Sequence, residues 1–125
     1  MCATPTRPSR VLLGNLAPMT RLGMERLLAD RGAQVTVESR ASELPVVAAA
    51  LAPDAIVLPL DEEAATEVGR ARAAAPDAKL ILWARDESEM HVYDVGHSVP
   101  RRVWAGMPGA LLTELKNDQR PRGGN

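Results

Sequence analysis

The chain has 125 residues, a formal net charge of -1 and a single cysteine. This length suits one domain with a real hydrophobic core, and the small net charge favours neither nucleic acid nor an anionic membrane as a general partner. One cysteine excludes a disulfide within the chain. Aromatic residues make up only 2% of the sequence, so the core must be built from aliphatic side chains and methionine.

The two ends of the chain differ in composition from the rest. Residues 1–9 are rich in Pro and Thr, and residues 117–125 are polar and contain Pro and Gly. This composition predicts a flexible N-terminus and a flexible tail around one domain at 10–116. No apolar run approaches the roughly 20 residues that span a bilayer, and the first residues lack the apolar core of a signal peptide. We therefore expect a soluble, cytoplasmic protein with no membrane partner.

Five apolar segments alternate with five helical patterns along the domain. The predicted strands are 10–14, 33–38, 55–58, 79–84 and 101–105. The predicted helices are 18–32, 42–52, 61–75, 86–96 and 108–116. Pro18 suits the first position of a helix, where no amide donor is needed, and Ser42 is a good helix cap. This alternation predicts an α/β fold with a doubly wound parallel sheet covered on both faces.

Residues with the chemistry of a metal or catalytic site are few. His91, Asp94 and His97, with Glu87, could be metal ligands, but we favour surface residues on the fourth predicted helix. Ser and Cys residues lack a base at a recognisable spacing, and no Gly-rich phosphate loop occurs. We predict no enzyme, no cofactor and no metal site. Arg101 and Arg102 form a basic pair without aromatic neighbours or a recognition helix, so direct nucleic-acid binding is not expected.

Two stretches carry a resemblance to a known family. The opening R-V-L-L-G-N-L-A-P-M-T-R-L-G-M-E-R-L-L and the later P-D-A-I-V-L with A-A-A-P-D-A-K-L-I-L resemble the receiver domains of bacterial response regulators. The likeness is to the subtype joined to a LuxR-type helix-turn-helix (the NarL/FixJ type), and it covers about residues 10–116. It implies a CheY-like, flavodoxin-like three-layer (βα)5 fold with strand order 2-1-3-4-5.

The resemblance also implies which positions carry the chemistry of a receiver, and all are altered. The metal-binding acidic pair matches Asn15 and Leu16, the phosphoacceptor aspartate matches Pro59, and the hydroxyl residue matches Ala84. The conserved lysine of the family matches Trp104 when one residue is inserted near Pro100. Proline has no nucleophile, and hard cations such as Mg²⁺ need carboxylate oxygens. The nearest carboxylate, Asp61, lies two residues too late and is expected to begin a helix.

These replacements predict a pseudo-receiver, an atypical response-regulator-like protein that acts in signal transduction or transcription regulation through protein–protein contact and without phosphorylation. Its partner would be a regulator, a kinase-pathway component or a second copy in a homodimer. Receivers of this family signal through their fourth helix, fifth strand and fifth helix, and they dimerise through their first and fifth helices. The predicted contact residues are Met19, Leu22, Met90, Val92, Tyr93, Arg101, Arg102, Met107, Leu111 and Leu112.

Two alternatives stay open. The strand-end crevice formed by Asn15, Leu16, Pro59, Ala84 and Trp104 could bind a small-molecule ligand, with Asn15 as its polar anchor, although Trp104 could equally fill the vacated space. Alternatively, the chain is the receiver half of a DNA-binding transcriptional regulator, and the residues after Lys116 are a linker.

Overall fold

The computed structural model describes residues 9–38, 40, 42–62, 64–84, 89–96 and 99–104. The sequence there forms three helices and six strands. The helices are α1 (Pro18–Asp30), α2 (Leu44–Leu51) and α3 (Ala64–Ala74). The strands are β1 (Arg10–Leu13), β2 (Gln34–Val37), β3 (Ala55–Leu60), β4 (Lys79–Ala84), β5 (Glu89–Tyr93) and β6 (Arg101–Trp104). The predicted fifth helix, residues 1–8 and 117–125 of the two ends predicted to be flexible, and Cys2, Glu87 and His97 lie outside the described residues.

The strands form a single six-stranded sheet of order β2-β1-β3-β4-β5-β6. We call β2, β1, β3 and β4, which are all parallel, the parallel half. Its inner strands are almost continuous apolar runs, as expected of strands buried on both faces. The predicted α/β class is therefore confirmed, and so is the 2-1-3-4 order of the first four strands.

The other end of the sheet corrects the sequence analysis. Residues 86–96 were predicted to be a helix, but Glu89–Tyr93 forms β5, which is antiparallel to β4. The last strand, β6, is antiparallel to β5 in turn, so the sheet is mixed and not wholly parallel. We call β5 and β6 the hairpin half. Met90 and Val92 are fully buried and alternate with three partly exposed residues, and this period of two belongs to a strand.

The helices begin and end close to the predicted positions. α1 has proline at its start, and Gly32 follows its end with a φ of 81°, a conformation that glycine adopts without strain. The residue before α2 is Glu43, so Ser42 is not its cap. α3 begins at Ala64 and not at Asp61. None of the helices in the described ranges is long and apolar enough to cross a membrane.

Two apolar clusters lie on opposite faces of the sheet because successive strand residues point to opposite sides. One contains Val11, Leu13 and Val57 with Met24 and Leu28 of α1. It continues across the sheet to Ile81, Trp83, Met90 and Val92. The other joins the alternate strand residues to α2 and α3; it contains Leu12, Ile56, Leu58, Leu80, Leu82, Leu44, Ala48, Val68 and Ala71.

Charged residues tie the hairpin half to β4 at one end of the sheet. Lys79, at the start of β4, is only 3% exposed, and its Nζ lies 3.7 Å from Oδ1 of Asp94. Arg101 donates from Nε to Oδ2 of the same carboxylate at 2.6 Å. The Arg72 guanidinium lies 5.9 Å from the ring centre of Tyr93, within range for a cation–π contact. Asp94 therefore joins the beginnings of β4 and β6.

Candidate functional site

A crevice of about 370 Å³ lies at the carboxyl ends of β1, β3 and β4, which is where ligands bind in open α/β sheets. One wall leads from β1 into α1 and consists of Asn15, Leu16, Ala17, Pro18 and Thr20. The other wall is formed by the ends of β3 and β4 and consists of Pro59, Leu60, Asp61, Trp83 and Ala84. The structure thus brings together four of the five crevice residues predicted from the sequence: Asn15, Leu16, Pro59 and Ala84.

Pro59 occupies a strand position where it costs no hydrogen bond. The amide of Gly14 donates to the carbonyl of Val57 at 2.8 Å, so Val57 directs its backbone groups toward β1. Backbone direction alternates along a strand, and Pro59 therefore faces the same side. Since β1 ends at Leu13, no strand continues there to accept a bond from the N–H that proline lacks.

The β1–α1 connection is held close to β3 by Gly14. A Cβ at this position would lie 2.7 Å from Cδ2 of Leu58 and 3.4 Å from the carbonyl oxygen of Val57. The next two residues then diverge: Asn15 is exposed, whereas Leu16 is buried in the core. Asn15 can therefore reach a crevice ligand with its amide, and Leu16 contributes only an apolar surface.

The strand that carries Trp104 is not next to the strands at whose ends the other four predicted crevice residues lie. The backbone of Trp104 is at the same end of the sheet, but it pairs with Glu89 of β5, and β5 separates it from β4. The neighbour of Ala84 across the sheet, one step beyond the Trp83–Met90 pair, is Glu89. The alignment of Trp104 beside β4 is wrong because it assumed a helix, and not a strand, between β4 and β6.

Thr20 and Trp83 are crevice residues that the sequence analysis did not include. A helix that starts just after β1 must place its first turn over the strand ends, and this could have indicated Thr20. Trp83 is 7% exposed, and its indole Nε1 is buried without a hydrogen-bond partner in the described part of the chain. Only the alternation of side chains along β4 could have indicated that Trp83 faces the crevice. The alternation carries no such signal here, because both faces of β4 are apolar.

The crevice is weakly charged. Asp61 is the one carboxylate that lines it within the described ranges, and its carbonyl oxygen accepts a bond from the amide of Ala64 in the turn before α3. Among the described residues, no group of three or more His, Cys, Asp or Glu side chains could hold a metal ion. An arrangement of this kind can bind a neutral or partly apolar molecule, but it offers no acidic pair for Mg²⁺.

The metal hypothesis for His91 and Asp94 loses its basis in the hairpin half. His91 lies on β5 beside Glu89, with 3.5 Å between Nε2 and Oε2, and Asp94 is engaged by Lys79 and Arg101. The other carboxylate oxygen of Glu89 accepts a bond from Arg102 at 2.8 Å. This hydrogen bond lowers the pKa of Glu89 below its ordinary value, so Glu89 stays ionised near neutral pH.

The predicted contact residues fall into two groups. Met19 and Leu22 of α1 are 82% and 47% exposed, and Arg101 and Arg102 are exposed but paired with carboxylates. Met90 and Val92 are buried and cannot form surface contacts, which corrects their assignment; their strand places both in the core. Tyr93 is partly buried. Met107, Leu111 and Leu112 lie outside the described residues.

A scan against protein-family models finds no match for this sequence, and a search of the curated proteins finds no significant match.

Proposed function

We propose that this chain is a receiver-like regulatory module that acts through protein–protein contact and without phosphorylation. The observation that carries the proposal is the make-up of the crevice. Asn15, Pro59 and Ala84 meet at the strand ends where a receiver would hold a carboxylate, a phosphoacceptor and a hydroxyl. Phosphoryl transfer depends on metal ions and positioned charges, and these three side chains provide neither.

The fold supports the proposal in its parallel half. The 2-1-3-4 order, with α1 on one face and α2 and α3 on the other, agrees with a flavodoxin-like arrangement of the kind that receivers have. The hairpin half departs from that pattern, since β5 takes the place beside β4 that a receiver gives to its fifth parallel strand. By continuation of the register between β4 and β5, Glu89 lies opposite Ala84.

The exposed end of α1 is the proposed contact surface. Met19 and Leu22 are three residues apart on one side of the helix, and both are large apolar side chains exposed to solvent. A partner that covers them gains apolar burial. We propose a regulator or a kinase-pathway component in the cytoplasm as this partner.

Beryllofluoride with Mg²⁺, a mimic of the phosphoryl group bound to aspartate, tests the crevice claim. We expect amide NMR spectra of the chain to stay unchanged when the mimic is added, while a phosphorylatable receiver in a parallel sample shifts. Shifts concentrated at residues around Asn15 and Pro59 would contradict the proposal.

The contact claim needs a separate experiment. The double variant Met19→Glu and Leu22→Glu should lose the partner that wild-type chain retains from a lysate of its own host. The double variant Thr66→Glu and Ala73→Glu, which adds the same two charges at exposed positions of α3, is the matched control and should retain it. Equal retention by all three chains would remove α1 as the contact surface.

A ligand-binding role is the second candidate, and the observation that favours it is the crevice volume of about 370 Å³, which lies in the range of small-molecule sites. A thermal-shift screen of metabolites should identify a stabilising compound. Ala17→Trp would fill the crevice and abolish the shift, whereas Ala65→Trp on the exposed side of α3 would preserve it. A shift that survives Ala17→Trp places the compound elsewhere.

A further inference from the structure

The two edges of the sheet are protected to different degrees. β6 carries Arg101 and Arg102, and charged residues on an edge strand oppose pairing with another chain. β2 has the sequence Q-V-T-V and contains neither a charge nor a proline. Both strands have four residues, so length does not account for the difference.

The outward backbone groups of β2 can be identified from its bonds to β1. The amide of Gln34 donates to the carbonyl of Ser9 at 2.7 Å, and the amide of Glu38 donates to the carbonyl of Leu13 at 2.9 Å. Gln34, Thr36 and Glu38 therefore face β1. The backbone groups of Val35 and Val37 alternate with them and face away from the sheet, where the described part of the chain provides no strand.

We propose that β2 pairs with β2 of a second copy of this chain, antiparallel and about a twofold axis at Thr36. In this register Val35 lies opposite Val37 of the second copy, and each of the two equivalent pairs exchanges two backbone bonds. The interface is isologous, as expected for a homodimer. This proposal rests on the edge of the sheet and does not depend on the receiver resemblance.

Side-chain complementarity selects this register and this occupant. Gln34 of each copy lies opposite Glu38 of the other copy, and the side-chain amide of glutamine donates well to a carboxylate. Arg40 lies 3.1 Å from Oε2 of Glu38 and lowers the pKa of that carboxyl group, so the acceptor is ionised. A register centred on Val35 is worse because it would need the amide of Ala33, which already donates to Leu28 at 3.0 Å.

A disulfide experiment tests the register directly. In the proposed dimer, Thr36 lies opposite Thr36 of the second copy in a non-hydrogen-bonded pair, with the two Cα atoms about 4.5 Å apart. A disulfide needs Cα atoms about 4.4 to 6.8 Å apart. In a Cys2→Ser background, Thr36→Cys should form a covalent dimer quickly under mild oxidation. Thr66→Cys, on α3, should not. Equal crosslinking of the two variants, or none with Thr36→Cys, would overturn the proposal.

Sedimentation without crosslinking provides the second test. A contact of this size gives a weak dimer that forms as concentration rises. Thr36→Lys places two ammonium groups opposite each other, and Val37→Pro removes an outward donor without removing a bond to β1; each should abolish the dimer. Thr66→Lys should leave it intact. A wild-type chain that stays monomeric throughout, or a dimer that survives both β2 variants while they keep native circular dichroism, excludes this interface.

Discussion

The parallel half and the hairpin half of the sheet bury their side chains in different ways. In β3, Ile56 and Val57 are neighbours and both are fully buried, because helices or other apolar residues cover both faces. In β5, Met90 and Val92 are buried while His91 between them is partly exposed. The parallel half therefore behaves as the interior layer of an α/β protein, and β5 behaves as a strand with one fully buried face and one partly exposed face.

Lysine substitutions in β3 and β5 test this difference in burial, and they have the largest expected effects. Ile56→Lys and Val57→Lys should each cost more than about 4 kcal/mol, because both place a charge in the core. In β5, Val92→Lys should be as severe, but His91→Lys should cost far less, about 1 kcal/mol, because its side chain is partly exposed. Urea unfolding or the yield of folded protein measures the series. A mild Val92→Lys together with a severe His91→Lys would reject the strand assignment.

A smaller effect is expected at the carboxylate that joins the two halves. Asp94→Asn removes the negative charge beside the buried ammonium of Lys79 and should cost about 2 kcal/mol, less than for a fully buried pair because Asp94 is partly exposed. Arg101→Gln, which removes the exposed partner of the same carboxylate, should cost less than about 1 kcal/mol. Lys79→Met combined with Asp94→Asn should restore part of the stability. Denaturant unfolding checks each value, and equal costs for Asp94→Asn and Arg101→Gln would contradict the central role of Lys79.

Two glycines, one in the β1–α1 connection and one in α1, give a matched pair beside the parallel half. Gly14→Ala should destabilise by about 1 to 3 kcal/mol, since the new methyl group meets Leu58 and the backbone of Val57. Gly23→Ala should stabilise by about 0.5 to 1 kcal/mol, because a Cβ in the middle of α1 meets nothing within 4 Å and alanine favours a helix. Thermal unfolding of both variants gives the signs. A neutral Gly14→Ala would mean that the β1–α1 connection is not held against β3.

The smallest expected effect concerns the exposed pair in the hairpin half. Arg102 lowers the pKa of Glu89, so this pair stabilises the fold above the ordinary carboxyl pKa, and its contribution disappears as the pH falls through the lowered value. Arg102→Ala should raise the pKa of Glu89 and remove that part of the acid dependence. Carboxyl ¹³C NMR titration measures the shift. An unchanged Glu89 titration in Arg102→Ala would show that the hydrogen bond is not formed.

The sequence predicts the parallel half well because its signals are local. Apolar runs such as A-I-V-L, together with Pro18 and Gly32 at helix ends, indicate the strands and helix boundaries directly. The strand β6 was predicted, but β5 was missed although E-M-H-V-Y alternates, because a possible cap at Asp86 or Ser88 and a stop at Gly96 indicated a helix over 86–96. An alternation over five residues is a weaker signal than the alternation of strands and helices along the whole domain.

The crevice was predictable to the same extent as the strands that form it. Asn15, Leu16, Pro59 and Ala84 each follow or end a strand of the parallel half, and the carboxyl ends of parallel strands meet. Trp104 was misplaced because its position depends on the strand inserted before it. Trp83 lies at a strand end but was not among the five predicted crevice residues, since the sequence does not show which face of an entirely apolar strand reaches the crevice.

Incubation with acetyl phosphate and Mg²⁺, followed by intact-protein mass spectrometry, tests the central claim most directly. A crevice that presents Asn15, Pro59 and Ala84 should give no phosphoryl adduct while a phosphorylatable receiver in a parallel reaction acquires one. Asp61→Ala is the informative variant, because Asp61 is the carboxylate at the crevice. An adduct on the wild-type chain that disappears in Asp61→Ala would contradict the account.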